Sequence, residues 1–204
     1  MKLYVNVMSP NVRRVRLTAA VLGLSLEEQP VDFRKGEQKQ PDFLALNPNG
    51  QVPVLVDGEY VLTESRAIMQ YLATKKPSAG LLPTDERLRA EVTRWQFWDS
   101  SHFSPQLGTI TFQRLLKAAF GLGEPEPAKI EEALTNFRRY AAVLNQHLGS
   151  RRYVVGDALT VADLTLASSL MYAQASQVPL AEFPNVQAWF ARISELDAWK
   201  KTSP

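Results

Sequence analysis

The sequence predicts an α/β domain followed by an all-α domain in one chain. Three observations lead to this prediction. Strand-like and helix-like segments alternate in the first part of the chain, the dipeptide Asp57-Gly58 joins two short apolar strands, and the later apolar residues recur only at helical spacing. Lys76 to Pro83, with two prolines and a glycine, separates the two patterns. We therefore expect domains over residues 1–76 and 84–204.

The first part of the chain predicts strand, helix, strand, helix, two antiparallel strands and a final helix. The predicted elements are a strand over Lys2–Met8, a helix containing Val12 to Leu22, a strand over Glu27–Phe33, a helix over Pro41–Leu46, a hairpin of Pro53–Val56 with Tyr60–Thr63, and a helix over Ser65–Lys75. The strand–helix–strand start implies a right-handed parallel crossover. This order of elements is the thioredoxin-like plan, which favours binding of a thiol compound only weakly.

The second part of the chain has the apolar periodicity of a helical bundle. Val92, Trp95 and Trp98 lie three residues apart, and a longer apolar stripe runs from Ile130 to Leu148. We assign both tryptophans to packing. Thr160 and Asp163 form a capping-box pattern at the start of another helix, which we interpret as purely structural.

Composition excludes several classes of function. The chain has 204 residues, and its 23 basic and 21 acidic residues are scattered, so we expect no nucleic-acid partner. Cysteine is absent, and His102 and His147 lack ligand-type spacing, so we expect no disulfide and no metal. No segment approaches the roughly 20 apolar residues of a membrane span. With no leader pattern after Met1, we expect a cytoplasmic protein.

The segment from Asn47 to Leu55 places a proline at the start of a predicted strand. Proline cannot donate to a strand ladder, so Pro53 is unusual there. If the Val52–Pro53 peptide bond is cis, the backbone N–H and C=O of Val52 turn into a cleft and can pair with an extended peptide. The alternative is a trans proline at a strand start, which is the commoner form for an isolated X–Pro bond.

Two further segments place a serine at the start of a predicted helix. In Thr63–Ile68, Ser65 lies at a strand–helix junction, where unpaired N–H groups and partial positive charge can hold a carboxylate. In Met8–Arg14, Ser9 precedes Pro10 at the entry to the first helix. Either serine can instead be a simple helix cap.

Together, in this order and at these separations, the three segments resemble the glutathione site of the serine-type glutathione transferases, the theta and phi classes and their bacterial relatives. Residues 156–163 and 183–186 are similar to the helical domain of the same family, so the resemblance spans nearly the whole chain. It implies glutathione as co-substrate, a helical domain that contributes the electrophile site, and a homodimer.

The resemblance also implies roles for individual residues. Ser9 matches the serine that hydrogen-bonds the glutathione sulfur, and Asn11 is a second catalytic candidate because some bacterial relatives use a threonine and an asparagine two residues later. The glutathione-binding candidates are Gln38 and Lys39 for the glycine carboxylate, Gln51, Val52 and Pro53 for the central part, and Glu64 and Ser65 for the γ-glutamyl group. The candidate electrophile-site residues are Pro10, Phe33, Phe103 and Phe112, although aromatic residues on helices more often belong to the core.

Some features depart from other classes of the family. The missing cysteine excludes thiol–disulfide chemistry through the protein's own thiol, and Tyr4 lies too early to match the tyrosine of the alpha, mu and pi classes. Arg13, Arg14 and Arg16 oppose the dipole of the first helix; we expect a solvated face, with a raised local positive potential as the alternative.

The function that these residues predict is attack of a glutathione thiolate on a small, mostly apolar electrophile. Relatives of the same fold that isomerise, reduce peroxides or displace halide are alternatives, as is a binding protein without efficient chemistry. A third class, a protein-interaction module, does not need a complete tripeptide pocket, and the intact segments argue against it.

Overall fold

The computed structural model describes residues 1–203, which form two compact units. The first unit contains residues 1–82 together with the C-terminal residues from Leu196, and the second contains Pro83–Glu195. The expected ranges placed the residues from Leu196 onward in the helical domain, whereas here they belong to the first unit. The predicted fold class is confirmed, because a small mixed sheet with helices is followed by an all-helical unit.

The first unit has the predicted order of elements. They are β1 (Lys2–Val5), α1 (Pro10–Leu22), β2 (Glu27–Pro30), α2 (Pro41–Leu46), β3 (Val54–Asp57), β4 (Tyr60–Leu62) and α3 (Ser65–Lys75), with 3-10 helices at Glu37–Lys39 and Pro77–Ala79. The bounds of α2 and α3 are those that the sequence predicted. Proline at the first position of α2 has its φ already set for a helix, which fixes where that helix begins.

The four strands form one sheet in the order β2-β1-β3-β4. β1 pairs parallel with β2, which confirms the predicted parallel pairing, and β3 pairs antiparallel with both β1 and β4. Leu3 and Val5 of β1 are buried on one face. Tyr4 points to the other face and meets Phe43 of α2 edge-on, with ring centroids 5.9 Å apart. α2 therefore lies against the Tyr4 face of the sheet.

The chain leaves β1 earlier than predicted, at Val5 instead of Met8. The Asn6 side chain accepts a hydrogen bond from the backbone N–H of Met8 at 3.2 Å, and the Asn6 carbonyl accepts from the N–H of Ser9 at 2.9 Å. This Asx turn ends the strand and directs the chain into α1. α1 ends at the predicted stop, where Gly23 has φ +63° and its N–H bonds back to the last turn.

The second unit is helical. Its helices are α4 (Glu86–Trp98), α5 (Ser104–Thr111), α6 (Lys117–Ala119), α7 (Pro127–His147), α8 (Val161–Ser169) and α9 (Pro184–Ser194). π-helical segments at Asp99–Phe103 and Phe112–Leu116 connect α4, α5 and α6, and a 3-10 helix covers Leu180–Glu182. Trp95, Trp98 and Phe103 form an aromatic cluster, with centroids 5.0 Å apart for the two tryptophans. The packing role predicted for both tryptophans is confirmed.

The capping box at the start of α8 is confirmed and extends beyond the helix. Asp163 is fully buried and accepts four hydrogen bonds. Its Oδ2 accepts from the backbone N–H and the hydroxyl of Thr160, while Oδ1 accepts from the N–H of Val154 at 2.8 Å and from the indole of Trp189 at 2.9 Å. Burial raises the pKa of Asp163, and its hydrogen-bond donors act in the opposite direction. One carboxylate thus ties α8 to two other parts of the unit.

The C-terminal helix α10 (Asp197–Lys201) packs against α1. The guanidinium of Arg13 lies 3.7 Å from the centre of the Trp199 ring and donates to the Trp199 carbonyl at 3.1 Å and to the Ser203 hydroxyl at 3.4 Å. Arg13 and Arg14 are 3% and 0% exposed, so the expected solvated face is wrong for both. Arg16 is half-buried and pairs with Glu28 at 2.7 Å.

Candidate functional site

Ser9 stands at the start of α1, as the sequence predicted. Its backbone is extended, with φ −83° and ψ 125°, and its carbonyl accepts from the N–H of Arg13 at 3.0 Å. The Ser9 hydroxyl makes no capping hydrogen bond to the helix. The simple-cap alternative therefore does not account for the side chain of this half-buried residue, which stands at the positive end of a 13-residue helix.

Asn11 is the second candidate on α1, and its orientation depends on a residue that the sequence analysis did not select. The amide oxygen of Asn11 accepts a hydrogen bond from Nη1 of Arg14, which is fully buried. Because the guanidinium holds the oxygen, the amide N–H groups of Asn11 remain as donors. The Asn11 side chain itself is exposed and lines a pocket.

This pocket brings together six of the nine predicted catalytic and glutathione-binding residues, and Ser9, Gln38 and Lys39 are not among its lining. Its lining residues are Asn11, Asn47, Gln51, Val52, Pro53, Glu64, Ser65 and Arg66. Six of these are predicted site residues, whereas Asn47 and Arg66 were not anticipated. The cavity has a volume of about 50 Å³, far below the roughly 300 Å³ or more of a typical ligand pocket, so it could enclose only a part of a tripeptide.

The turn between α2 and β3 is organised by Asn47, which is 4% exposed. Its side-chain amide donates to the carbonyl of Gln51 at 2.7 Å, and its oxygen accepts from the N–H of Asn49 at 3.1 Å. The Val52–Pro53 peptide bond that follows is cis, which is the geometry that the sequence analysis required. Asn47 was missed because an Asn-Pro-Asn-Gly stretch signals a turn without showing which side chain closes it.

The junction of β4 and α3 has an unusual backbone. Glu64 occupies the cap position with φ 66° and ψ 107°, a conformation that costs of order 1–3 kcal/mol for a residue other than glycine. Ser65 is the first helical residue instead of the cap and is 4% exposed. The Glu64 side chain makes no capping hydrogen bond to the first turn of α3. With Arg66 also lining the pocket, the start of this helix offers positive potential to an anion.

The two candidates for the glycine carboxylate lie outside this pocket's lining. Gln38 and Lys39 belong to the 3-10 helix Glu37–Lys39. A side-chain carbon added at Gly50 would lie 3.1 Å from the backbone oxygen of Gln38, so this helix and the turn before β3 are in close contact. Within the described residues, the buried Oε1 of Gln38 has no hydrogen-bond partner, while Lys39 is exposed.

The four candidates for the electrophile site have different surroundings. Pro10 is half-buried at the start of α1, and Phe33 and Phe112 are 40% and 37% exposed. Phe103 is 0% exposed. It packs in the core of the helical unit, stacked on Trp98 with centroids 5.5 Å apart. The assignment of Phe103 to an open site is therefore corrected: its ring has no exposed face for a substrate.

Residues 1–203 contain no group of three or more histidine, cysteine or acidic side chains placed to hold a metal ion. His147 contacts the carbonyl of Val154 at 2.7 Å, and His102 stacks on Tyr140 with centroids 5.1 Å apart. Within the same range, no helix is long and apolar enough to cross a membrane.

Comparison with known proteins decides the family. The N-terminal domain of glutathione S-transferases matches residues 1–74 and their C-terminal domain matches residues 103–197. A curated relative, glutathione S-transferase 3 of Zea mays, is 41% identical over 99% of this chain and 92% of its own length. The chain belongs to the glutathione S-transferase family.

Solved structures of this family have the same fold as the chain. Glutathione transferase F7 from Populus trichocarpa superposes with a TM-score of 0.92 at 32% identity, covering 98% of this chain and 96% of that one. A glutathione S-transferase I solved with the ligand lactoylglutathione gives 0.91 at 32% identity, covering 99% and 97%. The family is therefore the one whose glutathione site the three sequence segments resemble.

Proposed function

We propose that this transferase binds glutathione at the pocket beside the starts of α1 and α3, and activates its thiol for attack on a small apolar electrophile. Ser9 donates a hydrogen bond to the sulfur, and Asn11 is the second catalytic residue. The observation that carries the proposal is the convergence of six predicted residues on one polar pocket at the starts of α1 and α3. Ser9 is not among the lining residues, but it precedes the lining residue Asn11 by two positions, and its hydroxyl does not cap its own helix.

The charges around the pocket suit the γ-glutamyl end of glutathione, which carries both an ammonium and a carboxylate. The carboxylate of Glu64 supplies an acceptor for the ammonium. The start of α3, with Ser65 and Arg66, supplies donors and positive potential for the carboxylate. A group that bears both charges is recognised better there than a simple anion, because Glu64 repels an unaccompanied negative charge.

The central part of glutathione lies at the Val52 side of this pocket, and the glycine end extends out of it. The backbone of Val52 pairs with the cysteinyl part of the tripeptide, beside Gln51. Gln38 and Lys39 receive the glycine carboxylate. Within the described residues, the Oε1 of Gln38 has no hydrogen-bond partner, and the amide nitrogen of the same side chain can donate to the carboxylate. Lys39→Ala should raise the glutathione KM and leave turnover at saturating glutathione unchanged; a collapse of that turnover would refute the assignment.

The energetic requirement is modest. A free thiol has a pKa near 8.5, so only a few per cent is thiolate at neutral pH. Lowering that pKa by about two units requires about 2.7 kcal/mol. One hydrogen bond to a charged group supplies about 1.5–3 kcal/mol, and the positive end of a helix about 0.3–1 kcal/mol. Ser9 and α1 together are therefore sufficient.

The test is the pH dependence of conjugation to chlorodinitrobenzene in Ser9→Ala, with the exposed Ser25→Ala as matched control. Loss of the hydroxyl should move the inflection of kcat/KM for chlorodinitrobenzene, measured at saturating glutathione, up by one to two units. The rate at pH 7 should fall roughly 3- to 25-fold, because the thiolate fraction falls from about three quarters to between about a quarter and about 3%. Glutathione affinity should change little. An unchanged profile in Ser9→Ala would refute the role of Ser9.

Asn11 requires a separate measurement. Asn11→Ala should lower kcat by roughly tenfold if its amide donates to the sulfur, and the combined Ser9 and Asn11 variant should lose more than either alone. Turnover in the double variant equal to that of Ser9→Ala would remove Asn11 from the mechanism.

We further propose that the chain is a serine-type member close to the theta and phi classes, that it forms a homodimer, and that it acts in the cytoplasm. Ser9 at the start of α1 and the absence of cysteine support the class. Sedimentation equilibrium tests the dimer: the measured molar mass should be twice the chain mass of 22.9 kDa. A monomer mass at all protein concentrations would refute the dimer.

A further inference from the structure

The first unit contains a second cavity, larger than the glutathione pocket and lined by different residues. Its volume is about 410 Å³. Its lining residues are Tyr4, Gln29, Pro30, Val31, Glu37, Gln40, Asp42, Phe43 and Leu46. It shares none of these with the glutathione pocket, and Glu37 and Gln40 lie on either side of the glycine-carboxylate candidates Gln38 and Lys39 in the sequence.

The cavity follows from how β1, β2 and α2 meet. The parallel register pairs Tyr4 with Gln29, which places both side chains on the same face of the sheet. α2 is only six residues long, and its Phe43 meets the edge of Tyr4 at an interplanar angle of 72°. A helix this short covers part of the sheet face and leaves an open corner, with two aromatic side chains at its base.

The charges at this corner have one sign. Glu37 and Asp42 line it, and no lysine, arginine or histidine is present among the described residues of the lining. One oxygen of Glu37 accepts from the N–H of Asp32 at 2.7 Å, which holds the carboxylate in place and leaves its second oxygen for a ligand. Two carboxylates beside aromatic rings favour a cation with an aromatic or apolar body.

A peptide strand is a poorer occupant than a small molecule. β2 is an edge strand, but Pro30 has no N–H to offer to an added strand. The next N–H, that of Val31, already donates to the carbonyl of Val5 at 2.8 Å. Glu27 and Glu28 on the same strand are exposed and charged, which further opposes strand addition.

We propose that this cavity is a binding site for small aromatic cations, of the arylalkylammonium class. The ammonium lies between the carboxylates of Glu37 and Asp42, and the aromatic body rests against Tyr4, Pro30 and Leu46. The proposal does not depend on the glutathione site, because the two pockets have separate linings.

The experiment compares two probes that have the same ring and opposite charge, naphthylethylamine and naphthylacetate. Binding to the full chain is measured by ligand-observed NMR and calorimetry without glutathione. The amine should bind roughly tenfold more tightly than the acid, as an exposed ion pair and a cation–π contact together provide. Equal binding of both probes would overturn the charge argument.

Variants locate the site. The double change Glu37→Gln and Asp42→Asn should abolish the preference for the amine, and Gln40→Lys, at an exposed position of the rim, should weaken the amine as well. Glu59→Gln, which removes an exposed carboxylate from the β3–β4 turn, is the matched control and should leave binding unchanged. Unaltered amine binding in the double variant would overturn the proposal, and so would displacement of the amine by saturating glutathione, because the probe would then occupy the other pocket.

Discussion

Replacing Asp163 by alanine tests whether the buried carboxylate at the start of α8 holds the helical unit together. The substitution removes the acceptor of three buried N–H groups, those of Val154, Thr160 and the Trp189 indole, and of one hydroxyl. A buried donor left without an acceptor costs about 1–3 kcal/mol. Even at the lower end for each N–H, the expected loss in the free energy of unfolding is about 3–5 kcal/mol.

Asparagine at the same position should cost less than alanine. One oxygen remains to accept from Val154 and Trp189, whereas the new amide N–H₂ faces the donors of Thr160. We expect Asp163→Asn to lose about 1–2 kcal/mol.

Urea unfolding followed by circular dichroism measures these differences, with Asp157→Ala as control because Asp157 is exposed in the same loop. If Asp163→Ala and Asp157→Ala unfold at the same urea concentration, the four hydrogen bonds do not stabilise the fold and the reasoning fails. The second check is the order of stability, which should rise from Asp163→Ala through Asp163→Asn to the parent. The reverse order would mean that removing a buried charge stabilises the unit by more than the lost hydrogen bonds destabilise it.

Three further predictions concern other parts of the chain. Gly50→Ala should destabilise the first unit by about 1–2 kcal/mol in thermal unfolding and raise the glutathione KM, because φ is +61° and the new carbon would lie 3.1 Å from the Gln38 carbonyl oxygen. Two lysine partners, Lys117 first, lower the pKa of Glu126 from 4.5 to about 2, so the stability difference between parent and Glu126→Gln should be constant near neutral pH and disappear as the pH falls towards 2. Arg13→Ala should increase hydrogen exchange of the α10 amides, measured by mass spectrometry; unchanged exchange would show that stacking and hydrogen bonds at this arginine do not hold α10.

The fold was predictable because its signals are local. Proline at the start of α2 and glycine after α1 mark helix ends within a few residues of chain, and the apolar pattern between them requires no knowledge of tertiary contacts. Strand ends were less predictable. β1 ended three residues early because the side chain of Asn6 formed a turn, and a single polar residue in an apolar run does not show that it will bond to the backbone.

The candidate site was predictable as a set of segments and less so as individual contacts. The structure places six of the proposed residues on one pocket, whereas the roles of all of them remain predictions. Arg14 was expected in solvent, but it is buried and bonded to Asn11. A polar residue three positions away on the same helix does not indicate in the sequence that an arginine will be buried. Phe103 was placed in the site because periodicity cannot distinguish an aromatic core from an aromatic cleft.

The packing of Arg13 on Trp199 joins residues 186 positions apart, and no local pattern could have shown it. It makes the first unit discontinuous, since the entire segment Pro83–Glu195 is translated between its two parts. During synthesis, the outer face of α1 stays uncovered until α10 leaves the ribosome. A nascent chain that has already formed the sheet and the Ser9 turn therefore still lacks the Trp199 indole that covers Arg13. A shortened chain that ended before Leu196 would expose the Arg13 guanidinium to water.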